Sequence, residues 1–365
     1  MLQKAAALFL VCVSMALCVS CGPTTSRYLY AAIPTSDQIV AFREDPNSGI
    51  LTQLAVSPIT AGPSVQSLVI HPSSKFLYAA NAGESDVSEF LISPSGALTE
   101  KTPRTSVGNA PTVLAMDPTG NYLYVANSGS NSVSVLSINS TDGTLSVVPQ
   151  GSGSGTTAPL GITPINMQVS PAGFLYVTGA GQPGFVEVFS VNGGVLTPLS
   201  PTALFFTGTN PYGLAISPSG GFLYTANNID NSISEFTISS STAAGSLTQL
   251  ANSPIGQQSG TTTPVALLID KTGAFLYVAN QGSPNVTGYS IDSGGGISLL
   301  TTSPFVTGAQ PGVIASDPAG KYLFVGTQKS PFTIQSFSLD TSNGALTSVN
   351  PYPVPNAPTS IATTF

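Results

Sequence analysis

The sequence predicts an all-β fold, a seven-bladed β-propeller with four antiparallel strands per blade. Three observations predict it. An aromatic-rich strand followed by a polar hairpin, as in Tyr122-Leu123-Tyr124-Val125-Ala126-Asn127, recurs seven times, centred on Tyr30, Tyr78, Tyr124, Tyr176, Tyr224, Tyr277 and Phe324. The copies lie 46 to 53 residues apart, a period that short strands convert into propeller blades. The composition agrees: 7% of the 365 residues are charged and 41% are apolar, with 37 Gly and 30 Pro. Such a mixture supplies a core and many tight turns but few long helices.

Each element follows from a repeated local signal. The first strand of a unit begins after a proline, as in Pro111-Thr112-Val113-Leu114-Ala115-Met116. A turn closing on glycine (Gly120, Gly173, Gly220, Gly273, Gly320) leads to the aromatic second strand. The third strand carries apolar anchors in fixed register, such as Val133, Leu136 and Ile138, or Ile233, Phe236 and Ile238. The fourth opens on glycine, at Gly49, Gly96, Gly143, Gly194, Gly245, Gly295 and Gly344, where a tight turn calls for positive φ. The chain enters the array at a second strand, near Arg27, and ends on a lone first strand, residues 357–363. That orphan is expected to join the three N-terminal strands and close the ring, leaving only short protected edges. Stacked solenoid rungs would call for atypical capping repeats, which are not seen.

Residues 1–20 read as a secretory signal: Lys4 is its positive charge and Ala5 to Leu17 its apolar stretch, too short for a good membrane span. Residues 21–26 are a short tether and 27–365 the propeller. Cys18-Val19-Ser20-Cys21 resembles a bacterial lipobox, with Cys18 where Leu is usual. That resemblance implies cleavage before Cys21, acylation of its thiol, and an extracytoplasmic protein anchored by lipid alone to the bacterial cell envelope, in the periplasm or at the cell surface. Ordinary secretion with Cys21 unmodified is the alternative. Cys12, Cys18 and Cys21 are the only cysteines, so the propeller is expected to fold without disulfides. The net charge is −7, and nine Lys and Arg form no basic stripe, which argues against nucleic acid as a partner.

The strands Tyr124-Val125-Ala126-Asn127 and Tyr277-Val278-Ala279-Asn280 resemble the YVTN repeat. With the repeat phase, the blade count and the proline-led first strands, residues 27–365 resemble the 6-phosphogluconolactonase family of seven-bladed propellers. The chain has no Trp, on which WD-repeat, kelch and sialidase-type signatures lean. The resemblance implies His, Arg and Glu near the mouth of the central channel, from the beginnings of first strands and the ends of second strands. Opening a lactone needs a base for water and donors for the developing oxyanion.

The first-strand beginnings are Pro63-Ser64-Val65, Pro111-Thr112-Val113, Pro164-Ile165-Asn166, Pro211-Tyr212-Gly213, Pro264-Val265-Ala266, Pro311-Gly312-Val313 and Pro358-Thr359-Ser360, without one charged residue or His. Tyr212-Gly213 stand where the family's best-matching site has Arg-His, and Asn228 where a Glu is expected. No catalytic residue carries over. The mouth is expected to be neutral and polar, with Thr112, Asn166, Asn210, Tyr212 and Gln310 available for hydrogen bonding. That suits an uncharged ligand and poorly suits a phosphosugar.

Other clusters have simpler readings. His71, the only histidine, sits in a turn position and is expected to be structural. Glu89 and Glu235 are expected as solvated charges on blade surfaces. Arg43-Glu44-Asp45-Pro46 reads as an exposed turn, and the hairpin oxygens of residues 81–86 and 227–231 follow no calcium-loop pattern. The tyrosine ladder is expected to pack between blades. No metal site and no cofactor are expected. The favoured function at this level is a non-catalytic scaffold, monomeric, that binds a neutral small molecule or a protein. The alternatives are a lactone hydrolase with relocated catalytic groups and a structural envelope protein.

Overall fold

The structure, a computed structural model, describes residues 26–151, 155–199, 204–241 and 244–365. The expected signal segment and Cys21 lie outside the described residues. Seven antiparallel sheets form the blades. Blade 3 is representative, with strands Pro111–Met116, Tyr122–Asn127, Ser132–Ile138 and Leu145–Val147. In chain order, blade 2 spans residues 65–106, blade 3 111–159, blade 4 164–206, blade 5 211–256, blade 6 264–306 and blade 7 311–353. Blade 1 combines Arg27–Ile33, Gln38–Glu44 and Leu51–Gln53 with the C-terminal strand Ser360–Thr363. Tyr30 pairs with Ala362 and Ala32 with Ser360, so both ends of the described chain share one sheet, as the sequence predicts. Ser360–Thr363 lies between the first strands of blades 7 and 2, which completes the ring.

The fourth strand is less regular than the repeat suggests. In five blades it is split into two segments, each paired with the third strand, as with Leu145–Val147 and Thr157–Pro159 in blade 3.

The apolar core lies between blades. Seven clusters of buried side chains fill the seven seams. Tyr78, Ala80 and Val87 of blade 2, for instance, meet Leu123, Val125 and Leu136 of blade 3. Each second strand is sandwiched on both faces, which explains its almost unbroken apolar sequence.

Polar contacts fix the seams. The hydroxyl of Tyr30 donates to the carbonyl of Gly96 in the next blade, and Tyr78, Tyr176, Tyr224 and Tyr277 donate likewise to Gly143, Gly245, Gly295 and Gly344, at 2.7–2.8 Å. Those glycines open the fourth strands and do adopt positive φ, between 68° and 88° over the seven copies. A Cβ on any of them would also fall 2.3 to 2.7 Å from an aromatic ring of the preceding blade. Two seams differ. Phe324 has no hydroxyl to give, and at Gly194 the side chain of Gln150 donates in place of a tyrosine (3.1 Å).

Glu89 and Glu235 depart from expectation. They are 5% and 1% exposed. Glu89 accepts the backbone N–H of Leu145 at 3.1 Å and Glu235 that of Ile297 at 2.9 Å, each across a seam. Gln150 accepts the corresponding N–H of Leu196. These carboxylates therefore cap an otherwise orphaned donor two residues after the seam glycine. Burial raises the pKa of both.

Glu44 also corrects the sequence reading. It ends a strand rather than lying in an exposed turn, and it is 1% exposed. At the seam between blades 1 and 7, Arg27 lies 2.7 Å from Asp317 but 3.8 Å from Glu44. Neither carboxylate oxygen of Glu44 has a hydrogen-bond partner among the described residues. Burial first, then the charge of Asp317, raises its pKa from an ordinary 4.5 to about 7, against the pull of Arg27.

Two predictions follow from the seams. Between about pH 4.5 and 7 the folded state holds a proton on Glu44 that the unfolded chain releases, so stability falls as pH rises through that window, by on the order of 3 kcal/mol. Glu44→Gln removes this decline, read as a smaller difference in Tm between pH 5 and pH 8; an unchanged difference would show that Glu44 is not the group responsible. Tyr224→Phe leaves the buried carbonyl of Gly295 without its donor and lowers stability by about 1–3 kcal/mol in thermal unfolding.

Candidate functional site: the axial cavity

The first strands surround the propeller axis, and their N-terminal ends enclose a cavity of about 630 Å³. A β-bulge recurs there. In blade 3, Asn127 faces Pro111 while Ala126 faces Val113, so Thr112 is left unpaired. Equivalent register shifts release Gln66, Ile165, Tyr212, Val265 and Gly312. All six, with Thr359 of blade 1, line the cavity. A bulge re-aims a side chain that regular pairing would hold in the blade.

The bulge also corrects a boundary. Val65 faces Asn81 as Pro111 faces Asn127, so the first strand of blade 2 starts two residues after Pro63. Ser64 takes there the positive φ (55°) that Ala110 (49°), Asn210 (57°) and Thr263 (59°) take ahead of their strands.

Of the expected mouth residues, Thr112, Asn166 and Tyr212 line the cavity. Asn210 and Gln310 lie outside its wall. Each precedes a strand, and their carbonyls accept the N–H groups of Asn228 and Gln328. Gln66, Gln281 and Gln328 line the wall and were not anticipated. Gln281 and Gln328 occupy the column just past the second strand that also holds Asn228, so the signal for them was present; Gln66 was hidden by the two-residue offset.

Much of the polar wall serves the ring itself. The inner edge of each first strand has no sheet partner, and side chains of the neighbouring blade take its place. The hydroxyl oxygen of Ser360 accepts the N–H of Leu68 (3.0 Å), that of Ser67 the N–H of Leu114 (3.1 Å), and Gln168 the N–H of Ile216 (3.0 Å). Asn166 donates to the carbonyl of Tyr212 (3.1 Å) and accepts from Met167. What remains for a ligand is the phenol of Tyr212, 46% exposed, the hydroxyl of Thr359, and the amides of Gln66, Gln281 and Gln328. No carboxylate, imidazole, amine or guanidinium lies among the wall residues.

Charged groups lie at the opposite axial opening, a second cavity of about 750 Å³ bordered by Asp270, Lys271, Asp317 and Phe365. There they hold turns together: Asp270 accepts from Ala274 and Phe275, Asp317 from Lys321 and Tyr322, and Lys271 donates to the carbonyl of Pro318. His71 follows its strand at this same end. Its Nδ1 accepts from the N–H of Ser73, and its Nε2–H donates to the carbonyl of Gly120 in the next blade (3.2 Å). That is the structural role expected of it. Among the described residues, no three His, Cys, Asp or Glu converge as metal ligands would.

Fold and cavity together define a seven-bladed propeller with a neutral, hydrogen-bonding axial site. The sequence model of the family described as "Lactonase, 7-bladed beta-propeller" matches residues 28–363. The chain belongs to that family. It is 26% identical over 340 residues to a 6-phosphogluconolactonase of Serratia proteamaculans, covering 91% of this chain and 97% of that protein. Among solved structures, a protein from Lactobacillus plantarum superposes with a TM-score of 0.78 at 19% identity, covering 93% of this chain and 99% of its own. The periplasmic gluconolactonase of Pseudomonas aeruginosa gives a TM-score of 0.73 at 19% identity, covering 93% and 99%. The sequence-based preference for a non-catalytic scaffold gains no support from these relationships; a lactone hydrolase fits them better.

Proposed function

We propose that the chain hydrolyses the cyclic ester of a polyhydroxylated lactone in the axial cavity. The supporting observation is family membership across residues 28–363, combined with a cavity whose free groups are neutral hydrogen-bonding side chains. Water adds to the lactone carbonyl carbon and generates a tetrahedral oxyanion. The phenol of Tyr212 and the carboxamide N–H groups of Gln281 are among the donors available to it. The ring C–O bond then breaks, the departing ring oxygen takes a proton, and the open hydroxy acid releases its carboxyl proton to solvent. The wall holds no carboxylate or imidazole to accept the proton of the attacking water, so that proton passes to solvent or hydroxide.

This reading predicts a pH profile without a bell. With D-glucono-1,5-lactone in a pH-stat, the enzyme-dependent rate exceeds the spontaneous rate and rises with hydroxide between pH 6 and 8. Tyr212→Phe lowers kcat by about tenfold or more. An acid limb near neutrality would place a carboxylate or imidazole in the reaction and sink the mechanism. No acceleration with any five- or six-membered hydroxylated lactone would sink the function.

We further propose that Cys21 anchors the chain to the cell envelope. Arg27, the first strand residue, is paired with Asp317, which borders the cavity opposite the proposed site. A tether leaving there, about 15–18 Å long when extended, leaves the lactone cavity facing away from the membrane. In a bacterial host the protein is expected in the membrane fraction, and Cys21→Ala is expected to move it to the soluble fraction; an unmoved protein would refute the anchor.

A further inference from the structure

The wall of the axial cavity is neutral, and its glutamines are only partly used by the fold. Gln328 donates its amide N–H to the carbonyl of Pro358 at 2.6 Å. A carbonyl cannot donate, so this contact fixes which end of the carboxamide is nitrogen and leaves Oε1 without a donor among the described residues. Gln66 donates one N–H to the hydroxyl oxygen of Ser64 at 2.9 Å. Each of these carboxamides keeps its Oε1 and a second N–H, so the groups left over are neutral donors and acceptors together, which suit the hydroxyl groups of a ligand.

A phosphate fits less well. It brings a negative charge to a wall that has neutral groups and no cation. Moving such a charge out of water without a cation beside it costs several kcal/mol. The chain as a whole is at −7, so its long-range field does not compensate. Lys329 is the one cation adjacent in sequence to a wall residue, and it is exposed and outside the wall.

Gln328 holds its place because Gly312 has no side chain. A Cβ at Gly312 would lie 2.2 Å from Cγ and 2.5 Å from the carboxamide carbon of Gln328. Gly312 is the bulge residue of blade 7, the position from which the other blades send Gln66, Thr112 or Tyr212 to the wall. In blade 7 that volume is ceded to Gln328.

We propose that the axial cavity selects lactones that bear free hydroxyl groups and no phosphate, and that Gln328, seated by the missing side chain of Gly312, sets this preference. The proposal rests on the lactonase reading above and names its substrate class. It concerns the ligand class, so it is tested separately from turnover.

The first measurement is kcat/KM for D-glucono-1,5-lactone and for its 6-phosphate. The unphosphorylated lactone is expected to be preferred by about tenfold or more, the size of one hydrogen bond to a charged group missing from the site. Gln328→Lys places a cation on the wall and is expected to shift the ratio toward the phosphorylated lactone by about tenfold, while Lys329→Ala leaves it unchanged. Equal or better use of the phosphorylated lactone by the unaltered protein overturns the proposal, and loss of that use in Lys329→Ala would identify the rim lysine as the phosphate reader. The second measurement is binding of D-glucitol against D-glucitol 6-phosphate by calorimetry. Preferential binding of glucitol without turnover of either lactone supports the selectivity and refutes the hydrolase. Tighter binding of the phosphate ester overturns the selectivity whatever the turnover.

Discussion

The glycine that opens each fourth strand is the point on which the ring depends. Its positive φ turns the chain, its missing Cβ admits an aromatic ring from the preceding blade, and its carbonyl receives a tyrosine hydroxyl from that blade at five of seven seams. Turn geometry, packing and hydrogen bonding therefore converge on one residue type. A larger side chain would meet backbone strain and a steric clash together, and neither could relax without separating two blades. The seam is also where the core is. Because the apolar clusters lie between sheets, a blade has almost no core of its own, and the ring forms by closing seams.

Ionisable side chains are scarce in this chain, and the structure uses several of them within those seams. Glu89 and Glu235 accept backbone N–H groups across a seam, His71 bridges the turns of blades 2 and 3, and Arg27, Glu44 and Asp317 meet where the termini join. A carboxylate can be buried when it accepts a hydrogen bond that would otherwise go unmade, at the expense of a raised pKa. Glu44 has no such bond and is correspondingly the most perturbed of these carboxylates among the described residues. The closing seam also lacks the tyrosine hydroxyl, since Phe324 stands there. Ring closure draws instead on the pairing of Arg27–Ile33 with Ser360–Thr363, on apolar packing, on the Arg27–Asp317 pair and on a hydrogen bond from the hydroxyl of Tyr352 to Gln53 across the seam.

The repeat was legible because period and residue type point the same way in every copy. Seven glycine-led fourth strands and seven aromatic second strands leave one architecture, and the lone C-terminal strand shows how the ring closes. The errors have physical causes. Glu89 and Glu235 read as solvated because glutamate is usually exposed; sequence does not reveal that a seam N–H lacks a partner there. The split of the fourth strand depends on loop paths that carry no period. The mouth was legible in character, neutral and polar, but only partly in membership. A bulge after the first strand residue sends Thr112 and Tyr212 to the cavity and leaves Asn210 and Gln310 behind, and a bulge has no sequence signature apart from its pairing register.

That bulge separates the site from the scaffold. The released residue is left out of the strand pairing, so Gln, Thr, Ile, Tyr, Val and Gly all occupy it within one molecule without disturbing the blade. The next residue inward is less free, since Ser67, Asn166 and Ser360 close hydrogen bonds to the neighbouring blade. The wall therefore has an outer ring open to chemical change and an inner ring tied to the fold. Fold and function part at that boundary: the seams require a lactonase-type propeller, whereas the outer ring decides whether its mouth is charged or neutral. In this chain the outer ring is neutral throughout, and at Gly312 the side chain is given up to seat a carboxamide from the adjacent hairpin.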